Sequence, residues 1–553
     1  MKGTLRTLIA EALERARAAG ELAIAELPEI HAEVPRESGH GDLASNVAMT
    51  LAKSARMKPR AIAETVLRNI QDPNGWIASA EVAGPGFLNF SFSPAAWRQR
   101  LLGIISEGDA YGSSKTGAGT RVQIEFVSAN PTGPLHIGHG RGAATGDAIA
   151  RLLAATGHDV VREYYVNDAG AQMATLGRSV LARYRALYGS DEPFPEDGYP
   201  GDYVIDLARE LKERDGERWM TADGSAVQEI ARWAGERMLL RIREDLQAFN
   251  IRFDVFTSER QLREGGVVRS AIEELRAADR LYEQDGALWF RSTAFGDDKD
   301  RALVKSDGEL TYFASDVAYH RAKFRAGYDL VVDVWGADHH GYVKRVEASL
   351  AALGESPEHF RVVLVQIVNL TRDGVPVRMG KRTGEFVALR DVLDEVGPDL
   401  ARFFFLMRKS DAQLEFDLEL ARRQSAENPV FYVQYAHTRI AGIFRQAAER
   451  GVAEPDADAE TVAVLGNDDE LMLIRILDEF PSVVEGAAAS LEPHRVVFYA
   501  QKLAGEFHRF YTRNKCVSDD PKLTAGRLLL VRAVKQVIGR ALSLVGVNAP
   551  DRM

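Results

Sequence analysis

The sequence predicts a multidomain protein with α/β and all-α parts. A parallel-sheet domain stands in the middle, a small additional α/β domain precedes it, and a helical bundle follows. Three observations carry this. Strand-like and helical segments alternate between about 120 and 390, as in a parallel sheet with right-handed crossovers. After 391 the strand signals nearly vanish and helical periodicity takes over. The 553 residues also suit three or four domains of ~100–200 residues each. The expected division is 1–115, 116–390 and 391–553.

The elements follow in order. In MKGTLRTLIAEALERARAAG, Leu5, Leu8, Ile9 and Leu13 recur at helical spacing, while Glu11, Glu14, Arg15 and Arg17 interrupt the apolar run. That is an amphipathic helix rather than a secretory leader. Two helical segments surround ESGHGDLASN (37–46), and EVAGPGFLNFSFS (81–93) reads as strand, with Phe87, Leu88, Phe90 and Phe92 beyond the turn residues Gly84, Pro85 and Gly86. GSSKTGAG (112–119) is a connector. RVQIEFVSA (121–129) reads as strand, GHGRGAATGDAIARLLAATG (138–157) as helix, and DVVREYYVND (159–168) as the next strand. YDLVVDVWG (328–336) and RVVLVQIVNL (361–370) supply later strands, making a Rossmann-like parallel sheet. Between the two halves of this sheet domain, about 180–265, a polar helix-rich stretch reads as an insertion. EPDADAE (454–460) reads as a loop in the C-terminal bundle.

Composition narrows the function classes. Apolar residues at 46% and charged residues at 27% are ordinary for a globular protein. No apolar run reaches ~18 residues, so no membrane span and a cytoplasmic location are expected. The single cysteine, Cys516, excludes an intramolecular disulfide and any cysteine-rich metal site. A net charge of −11 does not suit a protein that coats nucleic acid without specificity, and no DNA partner is expected. Yet residues 491–553 hold 11 Lys and Arg against 5 Asp and Glu. This is either a nucleic-acid surface or an ordinary solvated helix face.

The most informative segment is FVSANPTGPLHIGHGR (126–141), which follows a strand and opens a helix. Ligands of open parallel sheets bind at the carboxyl ends of the strands, and a helix N-terminus there offers N–H groups to phosphate. His136 and His139, one turn apart, can face one ligand, and Gly138 between them removes a side chain where a nucleotide must approach closely. Paired imidazole donors fit the stabilisation of charge on a pentavalent phosphate.

The HIGH string at 136–139 resembles that of the class I aminoacyl-tRNA synthetases. The longer string, with Ser128, Asn130 and Pro134, resembles the arginyl-tRNA synthetases in particular. GHGDLASNVAM (39–49) and GPGFLNFSF (84–92) are similar to the extra N-terminal domain of that family. YVNDAGAQM (165–173), YPGDY (199–203), LTYFASDVAYH (310–320) and WGADHHGY (335–342) are similar to its catalytic domain. NPVFYVQYAHTRI (428–440) and APDRM (549–553) are similar to its C-terminal helical domain. Several matches in the right order cover almost the whole chain.

The resemblance implies particular roles. VRMGKRTG (377–384) stands where the family has its KMSKS loop. Arg378 replaces the first lysine and Gly380 the serine, while Met379, Lys381 and Arg382 remain as nucleotide contacts. Some relatives with a degenerate loop carry a compensating lysine three residues before HIGH. That position here is Gly133, so Lys381 carries the role. Gly336 and Asp338 resemble the ribose-binding Gly-x-Asp of the class. His339 and His340 follow without the cysteine or carboxylate spacing of a metal site, so no protein-held metal is expected. Mg²⁺ is expected as part of the bound ATP.

The arginine side chain is a planar cation that needs carboxylates deep in its pocket. Glu125 and Asp316 are the candidates, and Tyr312 lies one helical turn before Asp316. The family match assigns Glu125, Tyr312 and Asp316 to the side chain, and Ser128 and Asn130 to the α-amino and carboxylate ends. On the residues alone, a structural salt bridge to a nearby Arg or Lys remains open for both acids. The implied reaction makes arginyl-adenylate from ATP and L-arginine, then transfers arginine to the terminal ribose of tRNA(Arg). His136, His139 and Lys381 act through orientation and charge. The resemblance further implies that tRNA must be bound before the first step, that the N-terminal domain touches the tRNA elbow through Asn89 and Phe92, and that the C-terminal bundle reads the anticodon loop. A monomer is expected.

Overall fold

The computed structural model describes residues 1–35, 39–221, 224–377, 387–425 and 427–553. The expected first helix forms as α1 (Lys2–Ala18), and Leu5, Leu8, Ile9 and Leu13 are all buried. It packs on the helix Pro59–Asn69, in a domain whose three-stranded antiparallel sheet is β1 (Leu43–Ser45), β2 (Ile77–Ala83) and β3 (Phe87–Phe92), in the order β1-β3-β2. The stretch expected as one strand at 81–93 is a hairpin that turns at Gly84 and Gly86.

The central sheet has five parallel strands. These are β4 (Arg121–Glu125), β5 (Asp159–Val166), β6 (Val255–Ser258), β7 (Leu330–Gly336) and β8 (Phe360–Val365), in the order β8-β7-β4-β5-β6. The first strand is shorter than expected, because the chain leaves the sheet after Glu125 to form the HIGH loop. Helix α2 (Ile137–Ala155) crosses from β4 to β5. Between β5 and β6 the chain makes a helical excursion of α3 (Ala171–Ala186), α4 (Asp202–Asp215) and α5 (Gly224–Ala248), with its own buried cluster around Leu176, Tyr184, Leu207 and Trp219. The excursion begins and ends earlier than 180–265, and β6, inside that range, belongs to the main sheet. Its four residues carry no periodicity long enough to read as a strand.

A small antiparallel sheet (Leu281–Gln284, Ala287–Phe290, Arg301–Val304) precedes α6 (Tyr312–Arg325), which lies against the central sheet. The segment expected as one strand over 361–370 divides. After Val365 the chain turns, and Val368–Arg372 joins a separate sheet, parallel to Leu414–Asp417. The C-terminal bundle is α7 (Pro429–Glu449), α8 (Asp468–Ser490), α9 (His494–Arg513) and α10 (Pro521–Leu544). Its apolar faces join the core shared with α1, the central sheet and α2. No helix of the described residues is long and apolar enough to cross a membrane.

Candidate active site and nucleic-acid surfaces

The HIGH loop leaves β4 through a strained turn. Val127 and Ser128 both adopt positive φ, 69° and 40°. A β-branched residue in that region is an outlier, and such strain persists only where the surroundings impose it. Here Ser128 Oγ donates to Glu125 Oε1 at 2.8 Å and accepts from the Tyr165 N–H at 3.1 Å. Asn130 Nδ2 donates to Gln172 on α3, and Tyr203 of the YPGDY string donates to the Thr132 carbonyl at 2.9 Å.

The loop ends on His136, which caps α2. His136 Nδ1 accepts from the Gly138 N–H at 3.1 Å, and His139 Nδ1 accepts from the His136 N–H at 3.2 Å. The rings stack with centroids 3.6 Å apart. Because each Nδ1 accepts, each neutral ring carries its hydrogen on Nε2, as a donor. A Cβ on Gly138 would stand 2.9 Å from the His136 ring, so glycine there permits the folded-back imidazole. The HIGH loop is also tied to the segment after 386. His136 bridges Ala388, and the Leu389 N–H donates to the Leu135 carbonyl at 2.7 Å.

The three central strands carry an acidic row. Glu125 on β4 stands in register with Asp333 on β7 and with Glu163 on β5. All three are buried. Like charges placed opposite one another are unfavourable unless something compensates. Lys323 of α6 does so, donating to Glu125 Oε2 at 2.6 Å and to Asp333 Oδ1 at 2.8 Å. Burial would strip its proton, but these carboxylates raise the ammonium above its ordinary range. His320 places one ring nitrogen 2.8 Å from Asp333 Oδ2 and the other 2.8 Å from the Asp316 carbonyl. Burial alone would raise the Asp333 carboxyl, yet Lys323 and His320 hold it below the ordinary range. Glu163 accepts from Gln123, Thr257 and Tyr319, at 2.8, 2.6 and 2.8 Å.

Asp316 differs. Tyr342 Oη donates to it, but among the described residues no basic side chain forms an ion pair with it. Loss of water pushes its carboxyl up to about 6, against the pull of Tyr342 and His320, with Glu259 and Glu125 raising it further. Tyr312, one turn earlier on α6, is 62% exposed at the rim. The structure therefore brings Glu125, Ser128 and Asp316 to one face of the sheet, with Tyr312 above. The alternative left open for Glu125, a salt bridge to a basic neighbour, is realised by Lys323. Lys323, Asp333 and Glu163 escaped sequence reasoning. A lone acid inside the apolar run of LVVDVWG was the available signal.

Gly336 ends β7, and Asp338 is exposed, with its carboxylate 3.6 Å from His339. Met379, Lys381 and Arg382, with Arg378 and Gly380, lie outside the described residues. Among the described residues no three His, Cys, Asp or Glu side chains converge as metal ligands.

Two further surfaces carry exposed aromatic side chains. In the N-terminal domain a cavity of about 650 Å³ is lined by His31, Val34, His40, Asn46, Phe87 and Asn89. The exposure expected of Asn89 and Phe92 is not found, since each is 4% exposed. Phe92 packs edge-on against Trp97 in the core, and Asn89 reaches only the cavity floor. On a strand with one buried face, alternate residues point inward, which puts Phe90 and Phe92 inside while Phe87, at the hairpin turn, is 41% exposed. In the C-terminal bundle Tyr435 stacks on Phe431, and the Arg439 guanidinium lies 4.4 Å from the Tyr435 ring centre and 4.9 Å from that of Tyr511. Both tyrosines are exposed. The positive surplus of 491–553 is largely spent in ion pairs. Lys502, Arg513, Arg527 and Arg532 pair with Glu479, Asp469, Glu470 and Glu454, all upstream.

Comparison with known proteins converges on one family. A family model described as the class I (R) tRNA synthetase catalytic domain matches residues 101–403. The arginyl tRNA synthetase N-terminal domain matches 3–92, and the DALR anticodon binding domain matches 433–553. The chain is 52% identical over 554 residues to an arginine–tRNA ligase of Syntrophotalea carbinolica, with each chain covered in full. It is also 52% identical over 557 residues to one from Citrifermentans bemidjiense, again with full coverage of both. A Thermus thermophilus arginyl-tRNA synthetase structure superposes over the whole of both chains, with a TM-score of 0.77 at 22% identity, a likeness of fold.

Proposed function

Because this chain belongs to the arginyl-tRNA synthetases, we propose that Asp316 is the carboxylate that reads the arginine guanidinium. The chain is a class I enzyme that activates L-arginine with ATP and joins it to tRNA(Arg). The observation that carries the assignment is the uncompensated charge of Asp316. A buried guanidinium needs an anion to offset its desolvation, and the neighbouring acids Glu125 and Asp333 already share Lys323. Glu125 supplies the wall of the pocket beside Ser128, Tyr312 stacks over the guanidinium at the rim, and Ser128 with Asn130 holds the α-amino and carboxylate ends.

ATP binds over the N-terminus of α2. The Nε2 hydrogens of His136 and His139 meet the phosphates, Gly138 and Gly336 leave room for the nucleotide, and Asp338 accepts from the ribose. Met379, Lys381 and Arg382 are the further nucleotide contacts, with Lys381 holding the triphosphate as charge develops. The arginine carboxylate attacks the α-phosphorus and pyrophosphate leaves. A ribose hydroxyl of tRNA then attacks the activated carbonyl, the acyl–phosphate bond breaks and AMP leaves. No protein nucleophile is needed, so the residues act by orientation and charge stabilisation. Mg²⁺ arrives with ATP, held mostly by phosphates and water.

The tRNA elbow docks on the N-terminal cavity, with Phe87 as the exposed aromatic and Asn89 at its floor. Unstacked anticodon bases dock on Tyr435 and Tyr511, because single-stranded RNA is read by stacking on aromatic faces. The three parts 1–115, 116–390 and 391–553 thus serve elbow, chemistry and anticodon. The enzyme works in the cytoplasm as a monomer. The test is aminoacylation of total tRNA with labelled amino acids, one at a time, by the native enzyme and by Asp316→Asn. Arginine alone should be charged by the native enzyme, and the variant should need far more of it. Unchanged arginine affinity in the variant removes Asp316 from the assignment.

A further inference from the structure

Arg402 is a fully buried arginine on the helix Pro398–Leu406. Its guanidinium stands where four parts of the chain meet. One end donates to Asp147 Oδ2, in the middle of the helix that begins at His136. Nη1 donates to the Phe249 carbonyl at 2.9 Å, just past the last helix of the excursion, and Nε to the Val545 carbonyl at 3.1 Å, just past α10. The neighbouring bonds follow the same plan. Arg151 Nε stands 2.7 Å from Asp147 Oδ2, and its guanidinium donates to the Asn250 and Ser543 carbonyls at 3.2 and 3.4 Å. Asn250 Nδ2 donates to the Gly546 carbonyl at 3.3 Å. Gly546 has φ +73°, and a Cβ there would collide with the Arg402 guanidinium.

A surface ion pair would not be built this way. A guanidinium is planar, so its donors fix direction as well as distance. Here three directions are used on three separate segments. Asp147 lies eight residues beyond His139, about 12 Å along the helix axis at 1.5 Å per residue. A tilt or shift of α2 at Asp147 therefore moves both imidazoles as one body. Catalysis by orientation is sensitive to displacements of about 1 Å.

We infer that Arg402 is a positioning residue for adenylate formation: through Asp147 it sets the HIGH helix relative to the end of the C-terminal bundle. The end of α10 then acts on the chemistry without touching substrate. This rests on the reading of His136 and His139 as phosphate-facing donors.

The test uses the full-length enzyme and ATP–pyrophosphate exchange with saturating tRNA at a temperature where each variant is folded. Arg402→Lys keeps a cation beside Asp147 but loses the planar fork. It should lower kcat about tenfold or more, while KM for arginine and ATP and Kd for tRNA stay within about threefold. Gly546→Ala displaces the guanidinium without changing any charge, and should lower kcat in the same pattern. Arg162→Gln removes another cation facing Asp147, 3.7 Å away, that makes no bond to the bundle, and should leave kcat unchanged. A merely structural role lowers thermal stability and spares kcat in the folded variants, and that result overturns the inference. So does an equal loss of kcat in Arg162→Gln, which would make the charge on Asp147 the cause. If Arg402→Lys does not fold, Gly546→Ala decides alone. Should the native enzyme show no exchange dependent on His136 and His139, the reading of the HIGH site fails instead, whatever the variants do.

Discussion

Glu125 and Asp333 stand side by side in register on adjacent parallel strands, two buried carboxylates bridged by the single ammonium of Lys323. This arrangement explains why a buried lysine stands beside the residues proposed to bind arginine. Without it the sheet would place two unpaired anions together in its interior. Among the described residues Glu163 has no cation either but accepts from three side chains, whereas Asp316, on the same helix as Lys323, accepts from Tyr342 alone, which is why we assign the ligand to Asp316.

Asp316→Asn keeps size and removes charge. It should raise the arginine KM by about 30-fold or more, equivalent to about 2 kcal/mol, with ATP KM changed only a few-fold. Citrulline, with a neutral urea head, should be rejected strongly by the native enzyme and less by the variant. Steady-state aminoacylation of both ligands by both enzymes checks this, and an unchanged arginine-to-citrulline ratio counts against it.

The raised Asp316 carboxyl gives a pH signature. Its folded value, about 6, lies above its unfolded one, so this group costs stability progressively as pH rises from the ordinary carboxylate range through 6. Binding runs the other way, because the guanidinium needs the ionised form. Arginine KM should be flat above pH 7 and climb toward about tenfold per unit below 6. In Asp316→Asn that climb should disappear. A pH series of KM for both enzymes tests it.

Lys323→Met strands Glu125 and Asp333 in the interior. Breaking a buried pair by removing one partner costs about 3–5 kcal/mol. Urea denaturation at pH 7 should show that loss. A loss below about 1 kcal/mol would mean the two acids are compensated elsewhere.

Lys381→Ala should lower kcat for arginine activation by about 10²-fold or more, with arginine KM nearly unchanged, if this lysine holds the triphosphate as charge develops. Pyrophosphate exchange across arginine concentrations is the measurement, and near-normal turnover would remove the loop from catalysis.

Phe87→Ala and Phe92→Ala should separate cleanly. The first, at the exposed rim of the N-terminal cavity, should raise KM for tRNA and leave stability and arginine KM alone. The second empties a core position and should cost about 3–5 kcal/mol of stability. Thermal melts with tRNA titrations decide. An unaltered tRNA KM in Phe87→Ala moves the elbow contact elsewhere.

What the sequence by itself determined is what chain-local chemistry encodes. The amphipathic α1, the strand–loop–helix of HIGH and the change from alternating elements to a helical bundle all rest on spacings of a few residues, and they were legible. So was the placing of Tyr312 and Asp316 one turn apart on a single helix. What only the tertiary structure decided is which distant segments become neighbours. Glu125, Glu163 and Asp333 come from strands separated by crossovers, and no local pattern says that they lie in one row or that Lys323 fills the gap. The partners of Arg402 lie more than 140 residues away in both directions along the chain. The burial of Phe92 turned on which face of a short strand meets the core, and alternation alone does not say which. Periodicity names the face of an element, while packing selects its partner.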